Sequence, residues 1–306
     1  MDRKKRARSI LNATLAERTY MLMLLPGLIF LIIFSYVPMG GIIMAFQKYN
    51  PVAGIFGSKW IGLQNFRYII KIPEIGQIFM NTLIIACSNI ALGLVIPIIY
   101  ALLLNEVKNG LFKKTIQTIV YLPFFLSWVV LGVIFKQLLS MNGMVNNMLG
   151  FIAGEPIRFL SSNALFRPVL IATNQWKGFG WGTIIYLAAI TSIDTGLYES
   201  AMLDGATRLQ RIFYITLPGI SATIVLMATL SLGNVLNAGF DQVFNLYNPL
   251  VYDTGDIIDT YVYRLGLIKL QYSLSTTIGL LKSFISFFLI TLSYRLANKY
   301  ANYRIF

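Results

Sequence analysis

Glu199, Ser200, Ala201, Met202, Leu203, Asp204, Gly205, Ala206 and Arg208 crowd charge, apolar surface and a glycine into ten positions. Their types suit docking rather than bond making. Asp194 or Thr195 can cap the start of a helix, and Glu199 lies near the positive end of its dipole. Gly205 can end that helix, because glycine enters left-handed backbone geometry freely. A second short helix over about 206–216 is expected, with Pro218 opening the next apolar run. The product is a compact helix–turn–helix that exposes Met202 and Leu203 beside charged groups. Bond-making sets are harder to find. The chain has no histidine and one cysteine, Cys87. An intrachain disulfide is therefore impossible, and zinc sites built on Cys and His, or Ser-His and Cys-His pairs, have no residues to use. Nor is there a Gly-x-x-x-x-Gly-Lys-Ser/Thr loop to cradle a nucleotide.

The rest of the chain must hold this elbow, and its composition says how. Of 306 residues, 57% are hydrophobic and 12% charged, with a mean hydropathy of +0.69. A water-facing surface needs more charge than that, whereas a lipid-facing one does not. Roughly 20 apolar residues in a helix cross the hydrocarbon core. Six such runs are expected, at 20–46, 78–104, 116–136, 168–190, 219–240 and 275–294. The fourth is the weakest, since Asn174-Gln175-Trp176-Lys177-Gly178 lies within it. The first follows the basic stretch Arg3-Lys4-Lys5-Arg6-Ala7-Arg8. Its length and lack of a small-residue cleavage site mark an uncleaved helix rather than a signal peptide. With the N-terminus inside, fourteen Lys and Arg fall on inner segments and eight on outer ones, while Lys136, Lys177 and Lys282 fall within the runs. The excess of inner basic residues puts both ends in the cytoplasm, and it accounts for the net charge of +13 without nucleic acid. Pro26, Pro38, Pro97 and Pro123 interrupt the runs as kinks or hinges. Segments 47–77 and 241–274 are expected as long outer connections, the second a surface loop with interfacial Tyr247, Tyr252, Tyr261 and Tyr263 or a docking surface.

The elbow resembles the signature loop of permeases in binding-protein-dependent ABC importers. That pattern is Glu-Ala-Ala, Gly after three further residues, then a spacer ending in Ile-x-Leu-Pro. Here it is carried by Glu199, Ser200, Ala201, Asp204, Gly205, Ala206, Phe213, Ile215, Leu217 and Pro218, with Ser200 in place of Ala the one departure. Residues from about 76 to 295 look like the shared permease core. Leu25-Pro26-Gly27, Trp60-Ile61-Gly62-Leu63-Gln64-Asn65-Phe66, Asn81-Thr82-Leu83 and Tyr121-Leu122-Pro123 look like the carbohydrate-importing branch. Asn248-Pro249-Leu250-Val251-Tyr252 and Thr260-Tyr261-Val262-Tyr263-Arg264 are similar to a subset associated with oligosaccharides from polysaccharide breakdown.

The resemblance implies an all-α membrane protein of the type I ABC importer permease fold. It divides into a basic cytoplasmic segment 1–19, a first helix with its outer loop 20–75, a core 76–295 carrying a coupling loop 194–218, and a cytoplasmic tail 296–306. It also implies a place in the cell membrane and several partners: a second permease subunit, two ATPase subunits that bind ATP and Mg, and an extracytoplasmic solute-binding protein. This chain would hold no cofactor of its own. Glu199 would contact the ATPase, Gly205 permit the turn and Asp204 brace it. A sugar path needs hydrogen-bonding groups and aromatic faces, and the candidates inside the spans are Trp128, Asn174, Gln175, Trp176, Lys177, Tyr186 and Lys282. Two alternatives stay open. One is an ABC permease for a solute other than sugar; the other is an ion-coupled secondary transporter, which would need Asp or Glu inside its spans.

Overall fold

Lipid offers no partner to a backbone N–H or C=O, so apolar runs close those bonds within helices. The computed structural model describes residues 18–108 and 110–301, and most of them are helical. The basic stretch Arg3 to Arg8 and the end of the tail, 302–306, lie outside the described residues. Helix α1 (Arg18–Phe46) leads into an antiparallel hairpin of β1 (Gln47–Lys48) and β2 (Lys59–Trp60). Then come α2 (Gln64–Ile70), α3 (Pro73–Asn105), α4 (Gly110–Tyr121), α5 (Trp128–Leu138), α6 (Met144–Ala153) and α7 (Asn163–Thr191). The second half holds α8 (Thr195–Leu203), α9 (Arg208–Gly219), α10 (Ser221–Leu232), α11 (Phe240–Leu246), α12 (Ile258–Tyr263) and α13 (Tyr272–Ala301).

Among the described residues, α1, α3 and α13 are long and apolar enough to cross a membrane unbroken. Two helix pairs are apolar enough only when taken together and are bent at a break, α4 with α5 at 102° and α9 with α10 at 58°, the geometry of a broken span or a re-entrant loop. The run at 116–136, expected as one span, is therefore broken. Pro123 tightens the end of α4 into a 3-10 turn, and the Ser127 side chain accepts from the Val130 N–H to start α5 afresh. Helix α7 has 29 residues, which at 1.5 Å each suffices to cross, although its polar middle makes it less apolar than α1, α3 and α13. Prolines elsewhere are absorbed differently. Pro38 and Pro218 each follow a wide turn, in which Val37 N–H reaches back to Ile32 O and Leu217 N–H to Ile212 O. The extra residue moves a carbonyl clear of the proline ring, so the helix passes through.

Helices α3 and α7 pack side by side and run the same way. Arg167 donates to Asn81, Gln175 to Asn89 and Thr183 to the Pro97 carbonyl, each pair 86 residues apart. A constant offset requires parallel axes. The chain between them must return to its starting end, and the bent pair α4–α5 lies on that return. One end of the bundle gathers the starts of α3, α7 and α13 with the hairpin; there the Tyr49 N–H donates to Ser273 Oγ at 2.9 Å and the Thr277 hydroxyl to the Ala45 carbonyl at 3.3 Å. The opposite end gathers the ends of α3 and α7 with α8 and α9.

Segment 241–274, expected as a surface loop, is instead a packed group of short helices. Val243, Leu246, Val251 and Ile257 join Ile85, Phe166 and Leu170 in one core cluster. Its polar residues are buried because each finds a partner. Gln242 donates to the Leu170 carbonyl at 2.6 Å and to Thr173 Oγ1 at 2.8 Å. Asp256, 2% exposed, accepts from Thr260 Oγ1 at 2.8 Å and forms an ion pair with Arg264. Burial alone lowers the Arg264 guanidinium pKa, but the hydrogen bond and charge of Asp256 outweigh it and the net shift is upward.

Candidate functional site

The elbow forms as its local chemistry dictates. Asp194 caps α8, its carboxylate accepting from the Gly196 N–H at 2.9 Å. The helix ends at Gly205, whose φ is +78°, with the Ala206 N–H on the Ala201 carbonyl at 2.9 Å and the Gly205 N–H on the Met202 carbonyl at 3.2 Å. This pair of bonds is a Schellman motif, and it needs a left-handed residue at that position. Thr207 then starts α9 in a capping box with Gln210. The second helix of the elbow thus begins at Arg208, two residues later than expected, and continues through Pro218 to Gly219. Tyr198 and Thr216 hydroxyls meet at 2.9 Å and tie the two helices together. Arg208 lies 3.8 Å from Glu106 at the end of α3, a link the sequence did not single out. Leu203 is 90% exposed, and Met202, Leu209 and Tyr214 are exposed beside it. Among the described residues Glu199 makes no ion pair.

A second feature lies midway along α7. Four of the residues singled out from the sequence, Trp128, Asn174, Gln175 and Lys177, line one cavity of about 300 Å³. Small residues create it: Gly178 faces open space, and a side chain at Gly182 would press on Pro97. At Gly180 an added Cβ would stand 2.4 Å from the Val120 carbonyl, so α4 approaches the backbone of α7 there. That approach sets Phe124 and Trp128 over Lys177. The ammonium donates to the Phe124 carbonyl at 2.7 Å and lies 5.0 Å and 5.8 Å from the Phe124 and Trp128 ring centres. Gln175 is fixed by the Asn89 carbonyl at 3.2 Å. Pro97, having no N–H, leaves the Gly93 carbonyl without its helical donor at the cavity wall. Asn89, Gly93 and Phe124 were missed in the sequence. The glycines at 178, 180 and 182, set in a polar stretch of an otherwise apolar run, were the available signal.

The other three candidates stand apart from this cavity. Trp176 turns outward, half-exposed, with its ring edge to Phe135. Tyr186 is 1% exposed and packs with Ala101, Ile190 and Ile220. Lys282 pairs with Asp259 at 2.5 Å, joining α13 to α12.

Long apolar helices around a polar cavity, with a rigid elbow at one end, define a membrane transport subunit rather than an enzyme. The chain belongs to the family described as binding-protein-dependent transport system inner membrane component, whose model matches residues 93–302 and so takes in the elbow and all of the cavity lining but Asn89. It is 43% identical over 305 residues to the polygalacturonan/rhamnogalacturonan transport system permease protein YteP of Bacillus subtilis (strain 168), covering 99% of this chain and 95% of that protein. A crystal structure of a bacterial ABC transporter involved in the import of the acidic polysaccharide alginate matches with a TM-score of 0.87 at 37% identity, covering 95% of this chain and 99% of that one. A second, of a bacterial alginate ABC transporter in complex with an alginate pentasaccharide-bound periplasmic protein, matches with a TM-score of 0.84 at 38% identity over 92% of this chain and 96% of that one.

Proposed function

We propose that this chain is a six-span permease subunit of an ATP-driven oligosaccharide importer, with both ends and the elbow 194–218 in the cytoplasm. The single observation that carries the reading is the elbow: a braced turn that presents to solvent Met202, Leu203 and a Glu199 without an ion pair among the described residues. An apolar, rigid and charged projection of this kind suits a groove on a partner protein. The partners would be a second permease, two ATPase subunits that bind ATP and Mg, and an extracytoplasmic binding protein. The matched alginate complex, which includes a sugar-loaded periplasmic protein, supports that last partner. Closure of the ATPase pair would swing the elbow, and the bent crossings at 126–127 and Ile220 would let the path open outward. The polygalacturonan/rhamnogalacturonan permease and the alginate importer point to oligosaccharides of sugar acids.

A photo-crosslinking residue at Leu203, in the complex reconstituted with its ATPase, tests the reading. An ATPase adduct that changes in yield with nucleotide is expected. Absence of any adduct, together with labelling of a Leu203→Cys variant by an impermeant thiol reagent from outside the cell, would refute it.

A further inference from the structure

Lys177 stands out among the half-buried cations of the bundle. Arg264 has Asp256 and Lys282 has Asp259; Arg167, Lys177 and Arg211 have no carboxylate partner among the described residues, and of these three only Lys177 lines the polar cavity on α7. Its cavity is lined by no Asp or Glu among those residues. A cation in a low-dielectric setting is costly unless an anion accompanies it. One of its three donors goes to the Phe124 carbonyl at 2.7 Å, and the rings of Phe124 and Trp128 stabilise it only in part. Two donors remain in the cavity that Asn174 and Trp128 also line.

We infer that Lys177 is the specificity-determining residue of the membrane path, and that it binds the carboxylate of a uronate unit as the sugar passes. The fit is one of parts. The apolar face of the sugar ring lies on Trp128, its hydroxyls meet Asn174 and Gln175, and its carboxylate meets the free donors of Lys177. An anionic cargo supplies the counter-charge that the described residues omit, and a weak, single-charge contact lets the cargo leave again. This inference rests on the proposed function, since it assigns a role within an oligosaccharide path.

The test uses the importer reconstituted in proteoliposomes with its ATPase and binding protein. ATP-driven uptake of trigalacturonate, its trimethyl ester and neutral galactotriose is measured for the wild type and for Lys177→Gln, which keeps a donor toward Phe124 without the charge. Trigalacturonate uptake is expected to fall about tenfold more than uptake of the ester, with Lys177→Arg close to wild type. Asn174→Asp, which sets a carboxylate beside Lys177, should show the same selective loss, and it serves where Lys177→Gln fails to assemble. Equal losses for acid and ester in the variants, or undiminished uptake of the acid, would overturn the inference. Wild-type uptake of galactotriose without trigalacturonate would overturn it while leaving the proposed function standing. No uptake of any of the three would remove both.

Discussion

Replacing Gly205 separates backbone geometry from docking. Its φ of +78° lies where L residues are strained, yet a Cβ built there meets nothing within 4 Å. Within this chain the penalty of a side chain is therefore conformational alone. It comes to about 1 kcal/mol for Ala and roughly 2 kcal/mol for β-branched Val, but much less for Asn, which visits left-handed geometry. Relative to competing turns, the native elbow would lose about fivefold with Ala and roughly thirtyfold with Val. The two bonds from Ala206 and Gly205 back to Ala201 and Met202 open in the same order. ATP-driven uptake and retention of the ATPase on the tagged complex should rank wild type and Gly205→Asn together, then Gly205→Ala, then Gly205→Val. Gly205→Asp, which adds charge to the proposed docking face, should abolish uptake while the chain still inserts. If Gly205→Asn proves as harmful as Gly205→Val, the limit is the space a partner leaves, and the backbone reasoning is wrong.

Glu199→Lys should weaken co-purification of the ATPase; unchanged recovery would remove Glu199 from the contact. Lys282→Met strands Asp259 in a half-buried place and should cost about 2 kcal/mol of stability in detergent, with Asp259→Asn in the same chain restoring most of it. If uptake stays low after the double change has recovered the thermal midpoint, Lys282 acts on the cargo rather than on the fold. Gly180→Ala places a methyl against the Val120 carbonyl and should lower the midpoint by the equivalent of about 1–3 kcal/mol; an unchanged midpoint would mean that α4 and α7 can part without loss.

Local chemistry was the readable part of this sequence. Asp194, Gly205 and Pro123 announce a cap, a turn and a break through their own backbone preferences, and the structure forms each of them, whereas wide turns carry the helix through Pro38 and Pro218. The break at Ser127 could have been read from Pro123 followed by a capping serine, but the unbroken apolar run around it masks the signal. Partners distant in the chain were not readable. Asp256 and Arg264 look like surface charge in the sequence, and only the folded packing buries them against each other. Tyr186 has the right residue type to meet a sugar, yet its place on the helix turns it toward Ala101 and Ile220. Lys177 and Trp128 come together because α4 closes on Gly180, a contact made by the absence of a side chain.

The three contacts that join α3 to α7 fall eight residues apart, a little over two helical turns or about 12 Å. Slipping one helix past the other by a single turn would break all of them at once. The pair is thus a girder rather than two rods, and the lower end, where Glu106 lies near Arg208, belongs to the same girder as the lysine chamber. Whatever flexes must be the jointed helices leaning on it.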